Sequence, residues 1–173
     1  MAIDLKERVR DVPDWPEQGI IFRDITPLLR DPEALDQTIH ELAEWGKERR
    51  PDVVLGAEAR GFILGAAIAR ELGCGFVPAR RPGKLPPETI GATYALEYGE
   101  NTLELHPETI RSGDRVLIHD DVLATGGTVE AIAGQLVERL GGIVVGCCFI
   151  IELGFLNGRE RLAQYDLHAL IEY

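Results

Sequence analysis

Apolar residues in this chain fall into short unbroken runs separated by helix-period stretches. Val53 to Gly56, Gly75 to Ala79, a run beginning at Val116, and Ile143 to Ile151 are too short for helices and rich in β-branched residues. Such runs read as strands buried on both faces. Between them the period changes to that of a helix. Pro32 opens one through about Arg49, with Asp31 as N-cap and Leu35, Ile39, Leu42 and Trp45 on one face. Gly61 to Leu72 and Gly127 to Leu140 read as two more, and residues 3 to 10 and 158 to 164 as short ones. Thr93 to Tyr98 and Thr102 to Leu105 alternate around Gly99-Glu100 and predict a hairpin. Ala169 to Glu172 is a last strand. Residues 13 to 30 read as irregular, broken by Pro13, Pro16, Gly19 and Pro27. The alternation predicts an α/β domain with a mostly parallel central sheet flanked by helices. The 173 residues suit one domain, 1–173, without repeats or linkers.

In open parallel sheets, ligands bind at the carboxyl ends of strands. Three notable loops follow strand ends: Ala57 to Arg60, Arg80 to Lys84, and Asp120 to Thr128. The third is the most informative. An apolar strand ends in Asp120 and Asp121, and then Ala124, Thr125, Gly126, Gly127 and Thr128 lead into a helix. Small residues let an anion approach the backbone amides, and the helix adds its positive dipole end. The two carboxylates can accept hydrogen bonds from two hydroxyls or bind a divalent cation. Hydroxyls beside a phosphate suggest a ribose 5-phosphate. His119 reads as a strand residue facing the sheet packing, not as a catalyst.

The net charge of −11 argues against nucleic acid and against an anionic membrane surface as partners. It also makes a basic cluster more informative. Arg80, Arg81 and Lys84 put three cations in one loop after a strand, and Arg60 follows another strand. Guanidinium groups hold phosphates bidentately, so these positions suit a polyanion. Cys74, Cys147 and Cys148 sit in apolar contexts, without metal-ligand spacing, and read as reduced core residues of a cytoplasmic protein. No metal site formed by the protein alone is expected. No apolar run approaches a membrane span, and the N-terminus has no apolar signal core. His40, His106 and His168 read as structural.

The stretch from Val116 to Thr128 resembles the phosphoribosyl-pyrophosphate signature of the type I phosphoribosyltransferases. Leu55 to Phe62 is similar to that family's pyrophosphate loop, in which a cis peptide is expected at Glu58-Ala59. Gly19 to Pro27, Arg80 to Pro86, Leu96 to Gly99, Glu152-Leu153 and Gly158-Arg159 resemble the members that act on adenine. His119 and Arg81 depart from the pattern, where an apolar residue and Lys are common. The resemblance runs from about Pro13 to Leu162.

It implies a type I fold with a small N-terminal hood (1–30) carrying the base-binding segment, and a flexible catalytic hairpin (85–106). It implies transfer of a phosphoribosyl group from phosphoribosyl pyrophosphate to adenine in purine salvage. By this resemblance Ile21, Phe22 and Arg23 contact adenine, and Val122 and Leu153 sandwich the ring. Asp120 and Asp121 hold the ribose hydroxyls, and residues Ala124 to Thr128 the 5-phosphate. Arg60, Arg80, Arg81 and Lys84 face pyrophosphate. Glu97 is the acid/base residue, with Tyr98 and Tyr94 beside it. It further implies Mg2+ bound mainly through the substrate, and a homodimer. Two other readings compete: a related transferase using another base, and a non-catalytic sensor of the same ligand. A dinucleotide-binding domain is weaker, since no G-x-G-x-x-G follows a strand.

Overall fold

A computed structural model describes residues 3–95 and 100–173. At its centre lies a five-stranded parallel sheet built from β3 (Val53–Ala57), β4 (Gly75–Ala79), β7 (Arg115–Leu123), β8 (Ile143–Glu152) and β9 (Leu167–Glu172). The spatial order is β4-β3-β7-β8-β9. Pro78 lies in β4, an edge strand, where a missing N–H can be tolerated.

Successive residues of the central strands are buried on opposite faces of the sheet. Val53, Leu55, Ala57, Val116 and Ile118 join the apolar cluster on one face of the sheet. Val54 and Leu117 join the cluster on the other. That second face is covered by α2 (Pro32–Lys47) and α3 (Arg60–Leu72). The first is covered by the helical run that starts with α4 (Gly127–Ala131), widens into a π-helical stretch over Ile132–Val137 and ends in a 3-10 turn at Leu140, and by an antiparallel hairpin, β5 (Ile90–Ala95) with β6 (Glu100–Leu105). Asp31 caps α2 as expected, its carboxylate accepting from the N–H groups of Glu33 and Ala34.

Residues 13–30 hold more regular structure than the sequence suggested. Leu5–Arg8 is a 3-10 turn, shorter than the helix expected over 3 to 10, because β1 (Arg10–Pro13) begins immediately after it. β1 pairs antiparallel with β2 (Ile21–Asp24), and α1 (Thr26–Arg30) follows with Pro27 inside its first turn. Pro27 therefore starts a helix rather than breaking one. The β1–β2 hairpin is a separate two-stranded sheet.

The second hairpin also differs in detail. Its described pairs run from Ile90↔Leu105 to Ala95↔Glu100, so Glu100 is a strand residue and not part of the turn. The strand expected over Thr93 to Tyr98 lies partly outside the described residues, as do Glu97 and Tyr98 themselves. Ala92, Leu103 and Leu105 are fully or nearly buried in the core. The base of the 85–106 segment is thus packed structure.

Candidate active site

The sheet order reverses at β3. The chain goes from β3 to one side through α3 and β4, and later to the other side through β7. Loops leaving β3 and β7 therefore diverge at their carboxyl ends and leave a crevice between them. The loop 58–60 and the segment 120–128 flank this crevice.

Gly61 lets the start of α3 lie against β7. A Cβ there would come within 2.9 Å of the His119 carbonyl oxygen and 3.2 Å of an Asp120 carboxylate oxygen. The close approach brings Arg60 to Asp121, and the two form an ion pair with Asp121 4% exposed. Asp120 lies beside it, and its Oδ1 accepts from the Asp121 N–H at 2.9 Å. Burial first, and the neighbouring Asp121 charge second, push the Asp120 carboxyl well above the usual range. The crevice thus holds one carboxylate matched by arginine and a second that takes up a proton unusually easily.

Beyond Asp121 the chain wraps a recess of about 60 Å³ lined by Asp120, Val122 and residues 123 to 129. Gly126 has a φ of +81°, a conformation glycine adopts without strain, and the helical run starts at Gly127. The loop rests on α5 (Gly158–Arg161), where a Cβ on Gly158 would come to 2.2 Å from the Ala124 carbonyl oxygen. Arg161 lies beside Gly127 and pairs with Glu130 at 2.6 Å. In the sequence Arg161 carries no signal beyond its charge.

Glu58 ties two loops together. Its carboxylate accepts from Arg80 Nε at 3.2 Å and from the Arg81 N–H at 2.9 Å. Burial works to raise the Glu58 carboxyl, but these donors outweigh it and hold it below its usual value. The peptide Glu58-Ala59 is cis, as expected. Arg80 therefore stands beside the crevice. Arg81 and Lys84 lie on the exposed turn beyond it, and among the described residues neither forms an ion pair with Asp120, Asp121 or Glu58. The Glu58 clamp leaves no signal in the sequence, where a lone acid in a loop forms no pattern.

The residues expected at the base lie in β2 and at the ends of β7 and β8. The Arg60 guanidinium lies 5.4 Å from the Phe22 ring centre, which meets Trp15 edge-on at 4.5 Å. Arg23 pairs with Asp11 across the hairpin, while Ile21 is 49% exposed at its rim. Val122 and Leu153 are half-buried, and the Leu153 N–H donates to the Leu123 carbonyl at 2.9 Å. Glu152 is fixed by Arg159.

His119 is fully buried in β7, as expected of a strand residue. Its Nδ1 lies 3.0 Å from the Cys148 carbonyl oxygen, and its Nε2 has no partner among the described residues. Burial lowers its pKa to about 4, so the ring is neutral and remote from proton transfer at neutral pH. Cys147 and Cys148 are buried and form no disulfide, and burial pushes the Cys148 thiol up to about 12. Both are inert core residues.

A strand–carboxylate–loop–helix crevice at the switch point of a parallel sheet defines a phosphosugar-binding α/β protein. Residues 28–166 match the family model of the phosphoribosyl transferase domain, and the chain belongs to the phosphoribosyltransferase family. An adenine phosphoribosyltransferase of Lactobacillus delbrueckii subsp. bulgaricus is 53% identical over 173 residues, covering 100% of this chain and 98% of the relative. The crystal structure of adenine phosphoribosyltransferase from Thermoanaerobacter pseudethanolicus superposes with a TM-score of 0.94 at 49% identity, covering 98% of each chain. The Saccharomyces cerevisiae enzyme, complexed with an imino-altritol bisphosphate and adenine, gives 0.88 at 40% identity, covering 95% of this chain and 94% of that one.

Proposed function

We infer that this protein transfers the 5-phosphoribosyl group from phosphoribosyl pyrophosphate to N9 of adenine, giving AMP and pyrophosphate. The observation that carries the reading is the single crevice shared by the carboxylate pair, the small-residue loop and the arginines. Its adenine choice rests on full-length relatives that bear that name.

In this reading the amides of residues 124 to 128 bind the 5-phosphate. Asp120 and Asp121 accept from the ribose hydroxyls, and Asp120, easily protonated, can also donate. Arg60 and Arg80 face pyrophosphate, with Arg81 and Lys84 at the mouth. Loss of pyrophosphate builds positive charge on the ribose, which the Asp121 carboxylate stabilises through space. Adenine sits between Val122 and Leu153, with its edge against Ile21, Phe22 and the backbone at Arg23. Buried hydrogen-bonding groups there separate a 6-amino purine from a 6-oxo purine.

The donor set suits Mg2+ brought by the substrate: a carboxylate edge beside an anion recess, with diphosphate oxygens and water completing the shell. Bound there, the ion would neutralise charge on the leaving diphosphate. Glu97 is assigned the proton transfer on the purine and Tyr98 a supporting contact. The 85–106 segment is assigned the exclusion of water. We further propose a cytoplasmic homodimer; three free cysteines suit a reducing compartment.

An assay with Mg2+ and phosphoribosyl pyrophosphate, offering adenine, hypoxanthine, guanine and xanthine separately, tests the reaction. AMP from adenine alone is expected. Turnover of a 6-oxopurine instead would discard the adenine assignment, and tight binding without turnover would favour the sensor reading. Glu97→Gln is expected to lower kcat by about 100-fold with little change in binding. An unchanged kcat removes Glu97 from the chemistry.

A further inference from the structure

Among the described residues, the β1–β2 hairpin shares no ladder with the main sheet, so side chains must set its position over the crevice. Tyr173 lies where the two meet. Its ring centre is 3.8 Å from the Arg23 guanidinium carbon and 4.2 Å from Lys6 Nζ. Its backbone is fixed to the other side of the base subsite. The Tyr173 N–H donates to the Glu152 carbonyl, and the Gly154 N–H donates to the Tyr173 carbonyl, each at 3.0 Å. These two bonds bracket Leu153. Lys6 adds a donor to the Glu172 carbonyl at 2.6 Å.

We propose that Tyr173 is a positioning residue for the base subsite, holding Arg23 on one wall at a fixed distance from Leu153 on the other. This rests on the assignment of Ile21–Arg23 and Leu153 to the base. Arg23 has a second partner, Asp11, but Asp11 is on the same hairpin and moves with it. The Tyr173 ring instead links that hairpin to the β8 end of the sheet. Arg23 is largely buried, its side chain 15% exposed, which favours the attraction between cation and ring face over the same contact in water. The aromatic face is what matters here; the hydroxyl is not required.

Steady-state kinetics of Tyr173→Phe, Tyr173→Leu and Tyr173→Ala separate this role from a general structural one. The Leu and Ala variants should raise KM for the base about tenfold, the size of one such partly desolvated contact, with KM for phosphoribosyl pyrophosphate unchanged. The Phe variant should retain the wild-type value. An equal rise in both KM values, or equal behaviour of Leu and Phe, overturns the proposal. The base used is whichever purine the wild-type enzyme turns over, so a wrong choice of adenine does not mask the result. If the wild type turns over none, the transferase reading fails, and amide exchange at residues 21 to 24 decides the positioning role. Faster exchange in the Leu variant but not in the Phe variant supports the role, and no difference between them removes it.

Discussion

Arg60 and Asp121 neutralise each other in a site where both are assigned to ligand. The two carboxylates stand in different surroundings: Asp121 has the guanidinium as its counter-ion, whereas burial first, and the acid beside it second, push the Asp120 carboxyl up. Asp121→Asn removes a charged acceptor from the crevice. Affinity for phosphoribosyl pyrophosphate should fall about tenfold or more, the worth of one hydrogen bond to a charged group. Calorimetric titration checks it, and an unchanged Kd would contradict the ribose assignment. His119 gives a second prediction at this scale. Its folded pKa, about 4, is below the ordinary 6.5, so the unfolded chain binds the proton more readily. The associated stability is whole above pH 6.5, declines as pH falls, and is gone below about 4. The loss is on the order of 3 kcal/mol. Asp120, raised rather than lowered, works in the opposite direction, so the comparison must be with a variant. Denaturant midpoints of His119→Leu between about pH 7 and pH 4 should fall less steeply than those of the wild type. Parallel curves would show that His119 is not the group responsible.

At the scale of elements, the phosphate-sized loop is shaped from behind. Gly158 leaves no room for a side chain under the Ala124 carbonyl. Gly158→Ala should shift the loop, raising KM for phosphoribosyl pyrophosphate by about tenfold and costing about 1–3 kcal/mol in stability. Wild-type kinetics in this variant would mean that the loop does not depend on α5. The loop itself was legible in the sequence, because an apolar run, paired acids and small residues are contiguous. The α2 cap and the buried strands were legible for the same reason: each signal is local. What supports the loop was not, since Gly158 lies far from it along the chain, and a glycine opening a short helix does not say what that helix packs against. The β1–β2 hairpin was hidden differently. Four-residue strands are too short to show alternation, and Pro13, Pro16 and Gly19 mask them. In the β5–β6 hairpin the pair Ala95↔Glu100 showed that β6 already includes Glu100, a position the Gly99-Glu100 signal had assigned to the turn.

Across the whole molecule, the order β4-β3-β7-β8-β9 could be guessed only in kind. Alternating strands and helices imply parallel pairing, but nothing local says that β7 returns to lie beside β3. That one choice of neighbour creates the crevice and brings Arg60 and Asp121, 61 positions apart in the chain, into contact. It also changes what the basic residues mean. Read along the chain, Arg60 and the 80–84 turn looked like free positive charge within a −11 protein. In the fold, Arg60 is already matched by Asp121 and Arg80 by Glu58. A diphosphate ester approaching from a distance therefore meets a protein of net charge −11 whose Arg60 and Arg80 are already paired, and repulsion acts before those arginines can. Added salt shortens the reach of that repulsion, to about 10 Å at 0.1 M. The association rate of phosphoribosyl pyrophosphate, followed by stopped flow, should accordingly rise with moderate ionic strength. A fall would mean that Arg81 and Lys84 draw the substrate in from afar, and that the enzyme captures its ligand by steering and not by collision.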